Sequence, residues 1–285
     1  MIGAIIGDIV GSRFEADNYK AKDFDLFDPG CIPTDDSVMS LAVANAILDC
    51  AGNYRDLSAR AVTFMQMLGR KYKYAGYGGR FIEWIWSEDP QPYYSYGNGA
   101  GMRVGPCGFA AATLDEAKQL SYLVTSVTHN HPDGIKGAEA IATAVFLART
   151  GKTKSEIRDY IQENYYDLSF TLDEIRYSYH FDVSCQGSVD VALEAFFESA
   201  DFEDAIRNAI SVGGDSDTIG AMTGAVAEAY YGVPKEMILA AADFLDDRLL
   251  GILYNFEKRY PSKALDDSGE GLTVFGVLDS YIRAH

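Results

Sequence analysis

Two short runs of this chain put hydroxyls and carboxylates where a helix is about to start. The first is Pro33-Thr34-Asp35-Asp36-Ser37, ahead of the apolar segment Val38 to Leu48. The second is Gly213-Gly214-Asp215-Ser216-Asp217-Thr218, ahead of the small-residue segment Ile219 to Tyr231, which stops at Gly232 and Pro234. Both offer only hard oxygen ligands, which suit Mg²⁺, Mn²⁺ or Ca²⁺ better than zinc. Taken alone, the second run reads equally well as an N-cap with acidic first-turn residues. The repeat of the same chemistry about 180 residues away tips the reading towards a shared metal pair. Asp35, Asp36, Asp215 and Asp217 carry four negative charges, which two divalent cations would balance. Left bare in one pocket, such carboxylates repel and some are forced to hold protons. Gly213 and Gly214 let the second turn take positive φ or approach a ligand closely.

Other stretches add possible contacts. Gly97-Asn98-Gly99-Ala100-Gly101-Met102-Arg103-Val104-Gly105 holds four glycines in nine residues, so it is no helix interior. Such a loop can turn backbone N–H groups on an anion, although it has neither Walker nor Rossmann spacing. Arg103 can grip a phosphate or carboxylate bidentately, or form a structural ion pair. His129 and His131 make a His-x-His pair, but no cysteine or further histidine accompanies them, which disfavours zinc. His129 reads as a pocket hydrogen-bonder or as a tie to a backbone carbonyl. Glu15 follows the first helix and is either solvated or turned to the pocket. Asp8, a charge in an apolar segment, is read as a paired structural carboxylate. Tyr72 to Gly79 is read as a loop rather than a base-stacking platform.

The elements that must position these residues are helical. Gly3, Gly7 and Gly11 recur every four positions, which predicts a helix with one smooth face for a close neighbour. Helical patterns cover 55–70, Phe81 to Trp86, Thr113 to Leu123, Ile135 to Arg149, part of 155–180, Asp190 to Glu198, Phe202 to Ile210 and 235–260, with an apolar terminal segment from Thr273 to Ile282. Cys185 to Val189 is read as a turn and Pro261 to Gly271 as a polar loop. No strand alternation, linker or repeat appears. The expectation is one all-α domain over residues 1–285, a compact orthogonal multi-helix bundle whose ligand loops gather at helix N-termini.

With 24 basic against 42 acidic residues, the net charge of −18 argues against a nucleic-acid surface. No run of eighteen apolar residues marks a membrane span. The N-terminal stretch is too short and acidic for a signal peptide, and the four cysteines are scattered. A reduced, cytoplasmic protein is expected.

Five features in order, Gly7-Asp8 to Glu15, Thr34-Asp35-Asp36, Gly97 to Arg103, Thr128-His129 and Gly213 to Thr218, together make the chain resemble the ADP-ribosylglycohydrolase family over nearly its whole length. The resemblance implies an all-α fold with two Mg²⁺ or Mn²⁺ ions in a cleft. It implies Thr34, Asp35 and Asp36 as one ligand set and Asp215, Asp217 and Thr218 as the other, with Asp217 bridging. It further implies Glu15 near the metals as a gating or catalytic group, Gly97 to Arg103 around the diphosphate and ribose, and His129 on the ligand; Gly213 and Gly214 are read as substrate-binding through close backbone approach. The proposed general base is Glu15 or the non-bridging oxygen of Asp36. The expected reaction removes ADP-ribose from a modified side chain by cleaving the C1″ glycosidic bond. The expected partner is an ADP-ribosylated protein or ADP-ribose conjugate met by a monomer, with no nucleic acid and no membrane. Two other readings remain open: a hydrolase of another nucleotide conjugate, and a non-catalytic member of the fold. The family's glycine loop usually reads Asn-Gly-Ser-Ala-Met-Arg, and here Ala100-Gly101 stands at its centre, so the serine hydroxyl is missing. Asp190 stands near a position where the family commonly has proline.

Overall fold

The structure, a computed structural model, describes residues 1–266 and 271–284. Fifteen α-helices run α1 (Ile2–Gly11), α2 (Asp35–Asp49), α3 (Leu57–Lys71), α4 (Gly79–Trp86), α5 (Gly105–Ala110), α6 (Leu114–Thr125), α7 (Pro132–Arg149), α8 (Lys154–Asn164), α9 (Leu172–Ile175), α10 (Cys185–Phe197), α11 (Phe202–Ser211), α12 (Ser216–Tyr231), α13 (Lys235–Ala242), α14 (Asp247–Arg259) and α15 (Val274–Ala284). The fold is all-α, as the periodicity predicts. Among the described residues the sheet is limited to two short strands, β1 (Val233–Pro234) and β2 (Ala264–Leu265), paired in parallel. The second lies inside the stretch expected as polar loop; residues 267–270 of that stretch lie outside the described residues. No helix of the described chain is long and apolar enough to cross a membrane.

α1 and α12 form the axis of the fold. All ten residues of α1 are buried, as are thirteen of the sixteen in α12. They approach backbone to backbone because glycine faces glycine. A Cβ built on Gly3 would sit 2.3 Å from the Gly224 carbonyl oxygen, and one on Gly7 1.9 Å from that of Gly220. One on Gly11 would sit 2.5 Å from the Asp217 Cα. The smooth face expected from the spacing is therefore filled by the helix that begins with the second acidic run. Around this axis the apolar faces of α2, α7, α10 and α11 close one contiguous core.

Local chemistry sets the helix starts. Thr34, in extended backbone, caps α2 by accepting from the Asp36 N–H. The His131 ring caps α7 in the same way, through the Asp133 N–H at 3.1 Å. That use of Nδ1 separates His131 in role from His129. One expectation fails here: Cys185 to Val189 is not a turn but the first turn of α10. The Ser184 hydroxyl accepts from the Gly187 N–H at 3.2 Å and starts the helix earlier than Gly187 suggests. Asp190 lies within that helix, where burial lifts its carboxyl to about 6.

Candidate metal centre and substrate cleft

The N-terminal turns of α2 and α12 meet although their sequences lie far apart. The Thr218 hydroxyl lies 3.2 Å from Asp36 Oδ2, and the Thr34 hydroxyl 3.4 Å from the same oxygen. Two groups of carboxylates have oxygens within 4.8 Å of one another: Asp8, Asp36 and Asp217, and Glu15, Asp215 and Asp217. Asp217 belongs to both. Asp35 lines the cleft beside them and belongs to neither. The turn that carries Asp215 and Asp217 is held by backbone geometry. Gly213 and Gly214 take φ of +66° and +73°, which costs an L side chain but not glycine. The Gly214 N–H donates to Asn18 Oδ1 at 3.0 Å.

Asp215 occupies the N-cap position of α12, yet its carboxylate caps nothing there. It accepts instead from the Asn98 side-chain amide at 2.6 Å. The capping role, sufficient to explain such a residue from sequence, is therefore not how this carboxylate is used. Asp36 Oδ1 is buried with no hydrogen-bond partner. A buried acceptor left open is costly unless a proton or cation meets it.

The electrostatics point the same way. Burial, followed by the charge of Asp217, pushes the Asp36 carboxyl well above the ordinary range. Burial and then Asp215 do the same to Asp217. Burial and then the charge of Asp8 lift Asp35 to about 8. Burial, then Asp215 and Asp8, raise Glu15. None of the ion pairs among the described residues involves these groups. Crowded oxygen donors without a protein counter-charge, one of them an orphaned carboxylate oxygen, fit hard divalent cations.

Asp8, read as a paired structural carboxylate, has its partners in the start of α2. It projects from α1 into the start of α2 and accepts the Thr34 N–H at 2.9 Å, the Thr34 hydroxyl at 2.5 Å, the Ser37 N–H at 3.0 Å and the Ser37 hydroxyl. Burial lifts its carboxyl to about 6 against those four donors. It ties the first acidic run to α1, and α1 packs against α12, which carries the second. Its partners lie 26 and 29 positions away, so local pattern could not reveal them.

A cleft of about 440 Å³ opens above these carboxylates, a size that suits a nucleotide-like ligand. Its lining includes Glu15, Thr34, Asp35, Asp36, Asp215, Asp217 and Thr218 at the base. Gly97, Asn98, Gly99, Met102, Arg103 and His129 form one wall. The structure thus gathers most of the expected site residues. Ala100 and Gly101 turn away into the core, where a Cβ on Gly101 would meet Met222 Sδ at 2.7 Å. Gly213 and Gly214 shape the turn from behind, against Asn18 and Tyr179. Arg103 is only 1% exposed, and its guanidinium donates to the Thr128 hydroxyl at 2.6 Å. Tyr93, Phe181 and Val183 also line the cleft, and no short motif marked them.

Comparison with known proteins identifies the family and the fold. A human protein named ADP-ribosylhydrolase ARH3 is 26% identical over 312 aligned residues, covering 82% of this chain and 85% of its own. An ADP-ribosylarginine hydrolase, Tri1, from Pseudomonas putida is 30% identical over 165 residues, covering 53% of this chain and 42% of its own. A solved structure titled ADP-ribosylglycohydrolase-related protein complex superposes with a TM-score of 0.62 at 23% identity, over 100% of this chain and 96% of that one. The model of the family described as ADP-ribosylglycohydrolase matches residues 1–255, and the chain belongs to that family.

Proposed function

We propose that this protein is a dimetal hydrolase that releases ADP-ribose from a modified protein side chain by cleaving the C1″ glycosidic bond. The observation that carries the proposal is the meeting of two hydroxyl-and-carboxylate turns under a glycine-lined cleft. Thr34, Asp35 and Asp36 would hold one cation and Asp215, Asp217 and Thr218 the other, with Asp217 shared. When bound, two such ions would balance the carboxylates and act as Lewis acids on ribose hydroxyls. The chain's own groups do the rest. The glycine loop holds the diphosphate, so that binding energy places the sugar over the carboxylates. Glu15 faces the cleft with its pKa raised, as suits a group that takes a proton from water and returns it to the leaving acceptor. The bond between C1″ and the acceptor atom breaks through oxocarbenium character; water supplies hydroxide to C1″ and a proton to the acceptor.

The acceptor can be nitrogen or oxygen: one relative's name specifies arginine and the other's names no acceptor. The test is incubation with Mg²⁺ or Mn²⁺ and protein ADP-ribosylated on arginine or on serine, with products identified by mass spectrometry. Free ADP-ribose from one substrate supports the proposal and assigns the linkage. Inorganic phosphate as the product would replace it with a phosphoester hydrolase, and tight ADP-ribose binding without turnover would replace it with a binding protein. Glu15→Gln with full turnover would remove Glu15 from the chemistry.

A further inference from the structure

Three side chains behind the glycine loop form a one-way chain of hydrogen bonds. Arg103 Nη2 lies 2.6 Å from Thr128 Oγ1 and 3.3 Å from His129 Nδ1. Thr128 Oγ1 lies 2.7 Å from the same Nδ1 and 3.4 Å from the Thr125 carbonyl. A guanidinium has donors and no acceptor, so both atoms it faces must accept from it. The single hydroxyl proton of Thr128 then goes to the nearer acceptor, Nδ1. Two donors converge on Nδ1, which must therefore be the unprotonated nitrogen. A ring flip would set a C–H against both donors and leave the Thr128 hydroxyl only the Thr125 carbonyl at 3.4 Å.

The proton of the neutral ring then sits on Nε2. That edge faces the loop: a Cβ built on Gly99 would lie 3.3 Å from Nε2, and one on Gly97 3.5 Å. Among the described residues no protein acceptor meets Nε2. The ring is buried beside a positive charge, which holds its pKa well below the ordinary value and keeps it neutral.

We propose that Arg103, acting through Thr128, is a positioning residue that holds His129 as a neutral Nε2–H donor aimed at an acceptor oxygen of the ligand in the glycine loop. This differs from a direct grip of Arg103 on that ligand. Only the identity of the oxygen, a diphosphate oxygen of ADP-ribose, rests on the proposed function. A donor-only edge at this point favours anionic or carbonyl oxygen and disfavours a ligand N–H.

The test is long-range ¹H–¹⁵N NMR of the uniformly labelled full chain, with His129→Gln used to assign its ring among four histidines. Protonated Nε2 and bare Nδ1 are expected near neutral pH without any ligand. A protonated Nδ1, or an imidazolium near neutral pH, would overturn the proposal. Arg103→Met should let Nδ1–H appear, since the Thr128 oxygen becomes free to accept from it. The same variant should weaken ADP-ribose binding, read by calorimetry, about tenfold. His129→Phe should weaken it about as much, and Arg103→Met added to His129→Phe should do little more. If the double variant shows two full losses, or Arg103→Met leaves the tautomer unchanged, Arg103 has no such role. A wild-type ring with the expected tautomer in a protein that binds no ADP-ribose would defeat the proposed function and leave this inference standing.

Discussion

Gly7 is the point where the close packing of α1 on α12 can be tested most sharply. A Cβ there would lie 1.9 Å from the Gly220 carbonyl oxygen, 2.2 Å from its carbon and 2.7 Å from the Ala221 nitrogen. All three are backbone atoms that no rotamer change can move. Restoring ordinary contact, from 1.9 Å to 3.4 Å, requires the helices to part by about 1.5 Å. That parting falls on the neighbours that hold the site. Asp8 is the next residue, bonded to Thr34 at 2.5–2.9 Å, and Asp217 rests on Gly11. Gly7→Ala should therefore cost about 3 kcal/mol, at the upper end of overpacking. In a chain of this size that is a fall in Tm of roughly 6–12 °C. Mn²⁺ affinity, measured by calorimetry, should fall about 10–100-fold, because both ligand turns shift with the helices. Gly251→Ala is the control. It lies in α14 with nothing within 4 Å of the added Cβ, and should gain about 0.5–1 kcal/mol from helix propensity. A Gly7→Ala protein with wild-type Tm and wild-type Mn²⁺ affinity would refute the claim that this seam sets the site.

Two further outcomes follow from the carboxylates. Asp8→Ala strands the buried Thr34 and Ser37 N–H groups, and urea unfolding should show a loss of about 3 kcal/mol; a loss below about 1 kcal/mol would mean that water or a shift of α2 satisfies them. Metal-free protein should lose stability as pH rises. The folded-state pKa values of Asp8 (about 6) and Asp35 (about 8) are raised above the ordinary aspartate value of about 3.8, so their contribution is fully present below about 3.8 and is lost as pH climbs through 6 and 8. Thermal scans in chelator at pH 5 and pH 8 should show the decline and added Mn²⁺ should abolish it, whereas stability that rises over this range without metal would contradict the picture.

Much of this was legible in the sequence because it was written locally. A cap, a carboxylate pair and an apolar run sit next to each other at Thr34 and at Asp215, and the glycines of α1 recur at helical spacing. The helix from Leu57 to Lys71 follows from its periodicity alone, whereas Thr273 to Ile282 reads only as an apolar terminal segment, most of which forms α15. What was not legible depends on partners distant in the chain. Asp8 reads from sequence as a paired structural carboxylate, but its four donors sit in another helix start, so its partners could not be named. Arg103 reads from sequence as a ligand-gripping cation or a structural ion pair, since nothing near it in sequence shows that its Nη2 faces Thr128 and His129. The start of α10 was missed for a local reason. Gly187 suggested a turn, and the cap that overrides it is the hydroxyl of Ser184 three residues earlier. The parallel pair β1–β2 has two residues in each strand, too few for alternation to show.

The central claim is that the starts of α2 and α12 form one site for two cations. Mn²⁺ titration of metal-stripped protein, followed by electron paramagnetic resonance and calorimetry, tests it most directly. Two ions per chain with magnetic coupling between them are predicted, with binding lost when Asp215 and Asp217 are both changed to Ala. One isolated ion, or none, or two ions that survive that double change, would contradict it.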